Sequence, residues 1–291
     1  MQPQNLTPAL LRGWPLPPAE VDCDKDDRGR VMIVGGSMEI PGAALLAATA
    51  ALRAGAGKVT VATDERIAVA LALAVPELRV LALPCTPGGG LRAEGVEQVL
   101  PLAQRAQAIL VGPGLQDSAS TVDFVRALVA GLEGSATVVL DALAMDALAT
   151  LERAPAASLV LTPHAGEMAH LTGLQRAHVE ENSAALAVEW AARWNGVLAL
   201  KGATTVIASP NGSLFSHEGG NPGLAVSGSG DCLAGAIAAL LARGAHPQQA
   251  ACWGVWLHAQ AGQRLAERQG SIGFLARELS AEFPALLTAM A

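Results

Sequence analysis

The feature that most constrains the fold is an alternation. Short apolar runs recur along the chain, each followed by a glycine-bearing loop and then by a segment with helical spacing. Val31-Met-Ile-Val34 ends in Gly35-Gly-Ser37, residues 42–54 form a small-residue helical pattern closed by Gly55-Ala-Gly57, and residues 58–63 read as the next strand. Such a strand–helix–strand unit implies parallel pairing with a right-handed crossover. Strand-like runs recur at 79–83, 108–111, 137–140, 158–161 and 197–200, with helical patterns at 66–74, 96–106, 118–132, 178–194 and 253–267. Residues 204–209 and 213–216, joined by Pro210-Asn-Gly212, read as a hairpin. The fold expected is α/β, a doubly wound, mostly parallel sheet flanked by helices in three layers. No repeat or low-complexity linker divides the chain, so residues 1–27 are expected to be a lead-in segment and residues 28–291 one domain.

Composition narrows the function. Half of the 291 residues are hydrophobic, there is no tyrosine, and the net charge is −7, which argues against nucleic acid and against an anionic membrane surface. Cys23, Cys85, Cys232 and Cys252 lack a CxxC spacing, so neither a zinc site nor a disulfide framework is indicated. The N-terminus shows no signal-peptide pattern, and Arg53, Arg66 and Glu77 interrupt the apolar runs before they could span a bilayer. The expectation is a cytoplasmic protein that binds no nucleic acid and no membrane.

In doubly wound sheets, ligands bind off the carboxyl ends of the strands. The loops expected there are Gly35-Gly-Ser37, Gly112-Pro-Gly114, Asp141, Thr162-Pro-His-Ala-Gly-Glu167 and Lys201-Gly-Ala-Thr-Thr205. A further loop, residues 219–231, runs through Gly228-Ser-Gly-Asp231 into a helical pattern closed by Gly244. Glycines there let backbone approach a ligand, and a helix start offers free N–H groups to an anion. Two nucleotide motifs fail: Gly35-Gly36 followed by Gly42 lacks the GxGxxG spacing, and Gly57-Lys58 is followed by Val59 and lies after a helix. Each loop also has a structural reading on its own: a turn at Gly112-Pro-Gly114, a surface histidine at His164, a strand-end lysine at Lys201, a structural His258. Their shared placement on one rim favours a site.

These residues resemble the ADP-dependent NAD(P)H-hydrate dehydratases, a branch of the ribokinase-like superfamily, from about Arg28 to the C-terminus. The carriers are Gly35-Gly-Ser37 with Gly42-Ala43, Gly112-Pro-Gly-Leu115, Leu161-Thr-Pro-His-Ala-Gly-Glu-Met168, Leu200-Lys-Gly-Ala-Thr-Thr-Val206, and Gly220-Asn-Pro-Gly223 leading to Gly228-Ser-Gly-Asp231. The resemblance implies dehydration of hydrated NADH or NADPH (NADHX, NADPHX) at the expense of ADP, or of ATP in its place. It implies that Ala43, Gly114, His164 and Asp231 line the hydrated nicotinamide, with Asp231 as catalytic base. Lys201, Gly202, Ala203, Thr204, Thr205 and Gly230 would hold the adenine nucleotide, with Mg²⁺ at its phosphates through no assigned protein ligands. Gly228, Ser229 and Gly230 would form the anion hole. A homo-oligomer, tetrameric by the same resemblance, and an epimerase on another chain complete the expectation. The chain departs from the family pattern at Gln116, where glycine is usual, at Asp141-Ala-Leu-Ala144, which lacks a second aspartate and an asparagine, and at Arg28, where phenylalanine is usual. The rival readings are a small-molecule kinase of the same fold and a nucleotide sensor without chemistry.

Overall fold

A computed structural model describes residues 2–18, 22, 24–116, 118–132, 134, 136–150 and 156–290. Cys23 lies outside the described residues. The strands are β1 (Gln4–Asn5), β2 (Arg30–Val34), β3 (Lys58–Asp64), β4 (Arg79–Leu83), β5 (Ala108–Val111), β6 (Thr137–Leu140), β7 (Ser158–Leu161), β8 (Gly196–Leu200), β9 (Thr204–Ala208) and β10 (Leu214–Glu218). They form one sheet in the order β1-β10-β9-β8-β7-β6-β5-β2-β3-β4. All neighbours from β8 through β4 pair in parallel, whereas β9 runs antiparallel to both β8 and β10. The doubly wound, mostly parallel sheet read from the sequence is therefore present. The order reverses between β2 and β5: the chain winds outward from β2 to β4, then returns to the other side of β2. A crevice at the carboxyl ends of these two strands follows.

The central parallel strands are apolar along most of their length (β5 is Ala-Ile-Leu-Val and β8 Gly-Val-Leu-Ala-Leu) because helices cover both faces. On one side lie α2 (Pro41–Arg53), α9 (Ser229–Ala242), α10 (Pro247–Gln269) and α11 (Ala276–Met290), packed with Val31, Ile33, Leu110 and Val160 into one core. The opposite core joins Met32, Val34, Ile109 and Leu140 to α4 (Val96–Ala103), α5 (Ser118–Gly131), α6 (Ala165–Thr172) and α8 (Ser183–Trp194). Alternation of Val31/Ile33 against Met32/Val34 along β2 is the period-two pattern of a strand buried on both faces. The α2–α9 contact is close: a Cβ on Gly235 would stand 2.1 Å from the Ala47 carbonyl oxygen. Small residues on both helices make that approach feasible. In α10, Pro occupies the first turn, where its missing N–H costs nothing.

Several details differ from the sequence pattern. The helical pattern at 178–194 is broken at Asn182 into α7 (Arg176–Glu181) and α8, and the Asn182 side chain donates to the His178 carbonyl (3.0 Å). Asn offers the backbone a local alternative to the helix ladder, which explains the break. Part of the expected lead-in is structured: β1 pairs with β10, and α1 (Pro8–Arg12), capped by Thr7 Oγ1, buries Leu11. A two-residue strand is too short to leave a periodic signature. Helix α11 and the 3₁₀ segment Ala142–Thr150 were likewise without a sequence expectation. No helix among the described residues is long and apolar enough to cross a membrane.

Candidate active site

The carboxyl edge of the sheet carries two halves. At the crevice between β2 and β5 the site is made of backbone. Gly36 N–H donates to the Pro113 carbonyl (2.7 Å), tying the two strand-end loops together. Gly114 has φ +67, and a Cβ there would lie 2.5 Å from the Ile40 carbonyl and 2.8 Å from the Ala43 Cβ. Only glycine fits both the conformation and the space. Ala43, buried in the first turn of α2, and Gly114 thus abut each other as a close-packed wall.

The other half is charged. Asp141 follows β6 and is almost fully buried; its Oδ1 accepts from Thr162 Oγ1 (2.7 Å), at the end of β7, and from Lys201 Nζ (3.2 Å), just past β8. Glu167 Oε2, on the first turn of α6, lies 3.8 Å from the same ammonium. Above them, Gly228 adopts φ +90 and turns the chain into α9; a Cβ there would also strike Leu46 Cδ1 at 2.4 Å. A Cβ built on Gly230 would lie 3.4 Å from Lys201 Nζ, so the ammonium sits directly against the first turn of α9, which carries Asp231. Burial, followed by the charge of Asp141 and then Glu167, pushes the Asp231 carboxyl up to about 7, while Lys201 pulls it down. Burial alone would depress the Lys201 ammonium, but Asp141 and Glu167 outweigh it and hold the pKa above the ordinary lysine value. A carboxylate poised near neutrality beside a helix start is suited to taking a proton from a bound alcohol.

His164 caps α6. Its Nδ1 accepts from the amides of Gly166 and Glu167 (both 3.0 Å), and Glu167 Oε2 accepts from His164 N–H (2.7 Å), a reciprocal capping box. Nδ1 as acceptor places the ring proton of the neutral form on Nε2. Pro163 keeps Thr162 extended, and its carbonyl accepts from Lys201 N–H (2.7 Å), so the His164 and Lys201 backbones run side by side. The structural reading and the site reading of His164 coexist: it finishes the helix and still presents a ring to solvent.

A cavity of ≈ 690 Å³ opens between these loops and α10. It brings together His164, Lys201, Gly202, Ala203, Thr205, Ser229 and Gly230 of the residues singled out by sequence. Thr204 instead lines a neighbouring depression shared with His164 and Lys201. Ala43 and Gly114 lie outside the cavity lining, on the β2–β5 side, and Gly228 and Asp231, on either side of Ser229 and Gly230, do not line it. Of the three residues expected to form the anion hole, Ser229 gives its amide to the Val226 carbonyl (3.2 Å), and the Gly228 carbonyl accepts from the Cys232 amide (3.2 Å). Among the described residues no loop carbonyl takes up the amides of Gly228, Gly230 and Asp231, so these are the open donors.

Two histidines complete the wall. His258, read from sequence as structural, shares a 2.9 Å hydrogen bond with Ser229 Oγ, and burial drives its pKa down to about 4, so it is neutral. It is invisible in the sequence because it sits on α10, far along the chain from the glycine loop. His217 on β10 is buried, held below its usual pKa by that burial, and neither ring nitrogen has a hydrogen bond; Asn221 Nδ2 is also unpartnered. Leu224, Leu233, Val255 and Ala259 make the rest of the cavity apolar. An apolar slot with unpaired polar groups at one end and open amides at the other suits a flat heterocycle joined to phosphates.

The description attached to the family model that matches residues 31–285 is NAD(P)H-hydrate dehydratase. The ADP-dependent (S)-NAD(P)H-hydrate dehydratase of Xanthomonas campestris is 45% identical over 285 residues, covering 98% of this chain and 96% of that protein. The bifunctional NAD(P)H-hydrate repair enzyme of Moorella thermoacetica is 41% identical, and there the chain spans only 53% of the relative. Among solved structures, the Bacillus subtilis ADP/ATP-dependent NAD(P)H-hydrate dehydratase, co-crystallised with ATP/Mg²⁺, superposes with a TM-score of 0.87 at 30% identity over the whole of both chains. With the match extending over nearly its entire length, the chain belongs to the NAD(P)H-hydrate dehydratase family.

Proposed function

We propose that this protein repairs hydrated nicotinamide nucleotides, dehydrating the S epimer of NADHX and NADPHX to NADH and NADPH with ADP as phosphoryl donor. The observation that carries this reading is Asp231: a half-buried carboxylate with a pKa near neutrality, at a helix start whose neighbouring amides are open. Hydroxide is a poor leaving group, and phosphate is a good one. Asp231 takes the proton of the ring hydroxyl as its oxygen attacks the β-phosphoryl group of ADP, and AMP departs. The C–O bond then breaks with release of phosphate, and loss of a proton from the adjacent ring carbon restores the double bond. With ATP the departing nucleotide would be ADP. The open amides at Gly230 and Asp231 and the dipole of α9 stabilise charge on the moving group.

The hydrated nicotinamide would lie against Ala43 and Gly114, reaching His164 and Asp231, while the backbone of Lys201–Gly202–Ala203–Thr204–Thr205 and Gly230 would hold the nucleotide. Among the described residues no group of three or more His, Cys, Asp or Glu is placed to hold a metal ion, and Asp141 and Glu167 face the Lys201 ammonium. These residues fit an ion delivered on the nucleotide's own phosphates, where Mg²⁺ supplies neutralisation of phosphate charge. The same reading places the protein in the cytoplasm as a homotetramer, working beside an epimerase on another chain, and takes residues 28–291 as one catalytic domain. Incubation with hydrated NADH and ADP tests it: the reduced-nicotinamide absorbance should return with one AMP per NADH. A stable phosphorylated product in place of NADH would favour the kinase reading.

A further inference from the structure

The resemblance assigns the KGATT segment to the nucleotide, and a lysine at such a point is ordinarily read as a phosphate ligand. The geometry of this lysine is different. Its ammonium lies 3.2 Å from Asp141 Oδ1 and 3.8 Å from Glu167 Oε2, and the charge of Asp231 also acts on it, so two carboxylates hold one cation and a third feels it. Asp141 is itself rigidly placed. Thr162 Oγ1 donates to the same Oδ1 (2.7 Å), and Asp141 N–H donates to the Val111 carbonyl (3.0 Å). A Cβ on Gly112 would stand 1.8 Å from the Asp141 carbonyl oxygen, and the next residue, Ala142, is held at φ +48. A non-glycine residue in that region persists only where its surroundings over-determine it.

We infer that the Lys201 side chain is the counter-charge of Asp231, held against the first turn of α9 by Asp141 and, through Asp141, by Thr162 as positioning residues, and that it is not a ligand of the nucleotide's phosphates. A lysine committed to two carboxylates has little net charge to offer a phosphate. What it does offer is relief for Asp231, which must lose its proton in a buried site already occupied by Asp141 and Glu167. The charged and titratable groups facing Asp231 are Asp141 at the end of β6, Glu167 on α6 and Lys201 beyond β8; from α10 comes His258, uncharged at neutral pH and reached through Ser229. Lys201 is the cation of that set. Nucleotide binding then falls to the backbone amides of 202–205 and the start of α9.

The inference rests on Asp231 being the base, and its test is chosen to stand apart from turnover. Lys201→Met in the full chain should leave the dissociation constant for ADP, by titration calorimetry, within about threefold of the unsubstituted protein. The Asp231 titration midpoint, followed by carboxyl ¹³C NMR, should rise by about one pH unit. Thr162→Val, which changes no charge, should raise the midpoint by a smaller amount, and Thr162→Ser should return it. Should Lys201→Met fail to fold, the threonine pair carries the test alone. A tenfold or greater loss of ADP affinity in Lys201→Met overturns the inference. So does an Asp231 midpoint that moves in neither Lys201→Met nor Thr162→Val. Failure to form NADH from the hydrated substrate would instead count against the proposed reaction and leave these binding and titration results standing.

Discussion

The two halves of the carboxyl edge are built on opposite principles. Around Gly36, Ala43 and Gly114 the wall is backbone and methyl groups, packed so closely that a single added Cβ meets atoms at 2.5 Å and 2.8 Å. Around Asp141, Lys201 and Asp231 the wall is charge, partly buried and mutually compensated. The first half sets shape: it offers a large substrate a close approach to main chain. The second sets protonation: it keeps one carboxylate near neutrality at a helix start. Substitutions in the two halves should therefore fail in different ways.

The largest effect belongs to the charged half. Asp231→Asn preserves size and removes the base, so kcat should fall by roughly 10²–10⁴-fold, the usual worth of a positioned base, with ADP affinity retained. Activity within a few fold of the parent would remove Asp231 from the chemistry. The pH profile sharpens the same point: with a pKa of about 7 in the free protein, Asp231 should give kcat/KM an acid limb that falls away below neutrality, absent from the residual activity of Asp231→Asn. A limb several units lower would mean that the carboxylate is not the group being titrated.

In the shape-setting half, Gly114→Ala should raise KM for the hydrated nicotinamide and destabilise the fold by about 1–3 kcal/mol, since alanine is strained at φ +67 and crowds Ile40 and Ala43. Its kcat/KM limb should stay at the same pH. A shifted limb would show that the two halves are coupled and would break the distinction drawn above. His164→Ala stands between them, losing a cap and a ring at the cavity. KM for the hydrated nicotinamide should rise by about 5–150-fold if roughly 1–3 kcal/mol of binding is lost, with ADP affinity nearly unchanged. Unchanged kinetics with a lowered melting temperature would leave His164 as a cap only.

The smallest effect is on stability, and its sign is informative. The Asp231 pKa is about 7 in the folded protein against an ordinary 3.8, so the folded state binds a proton more tightly than the unfolded state. That contribution to stability is fully present below about pH 4 and is lost as pH rises through 7. Asp231→Asn should therefore melt at a higher temperature than the parent at pH 8, by a few degrees, and the gap should close towards pH 4. A lower melting temperature at pH 8 would mean that the carboxylate is stabilised where it sits.

Much of this architecture was legible because periodicity carries it. The central parallel strands contain short apolar runs, and Pro210-Asn-Gly212 announced the β9–β10 hairpin, whose Gly212 has φ +85. Glycine marks the tight positions at Gly114 and Gly228 in the sequence itself. What stayed hidden is what depends on pairing over distance. Nothing local to Asp141 says that it will meet Lys201, 60 positions on, nor that His258 will reach Ser229 from another helix. Asp141, read only as a loop carboxylate and a departure from the family pattern, is a fixed part of the charged half. The break at Asn182 and the two-residue β1 were lost for a simpler reason, since each is shorter than the period that would reveal it.

The most direct test of the central claim is a paired assay of the parent protein and Asp231→Asn with hydrated NADH, ADP and Mg²⁺ at pH 8. Recovery of the reduced-nicotinamide absorbance is followed, with ADP binding measured on the same samples. The parent should regenerate NADH with release of one AMP and one phosphate per turnover. Asp231→Asn should bind ADP with undiminished affinity and regenerate NADH at least a hundredfold more slowly. NADH regeneration at comparable rates by both proteins, or a stable phosphorylated product from the parent, would contradict the account.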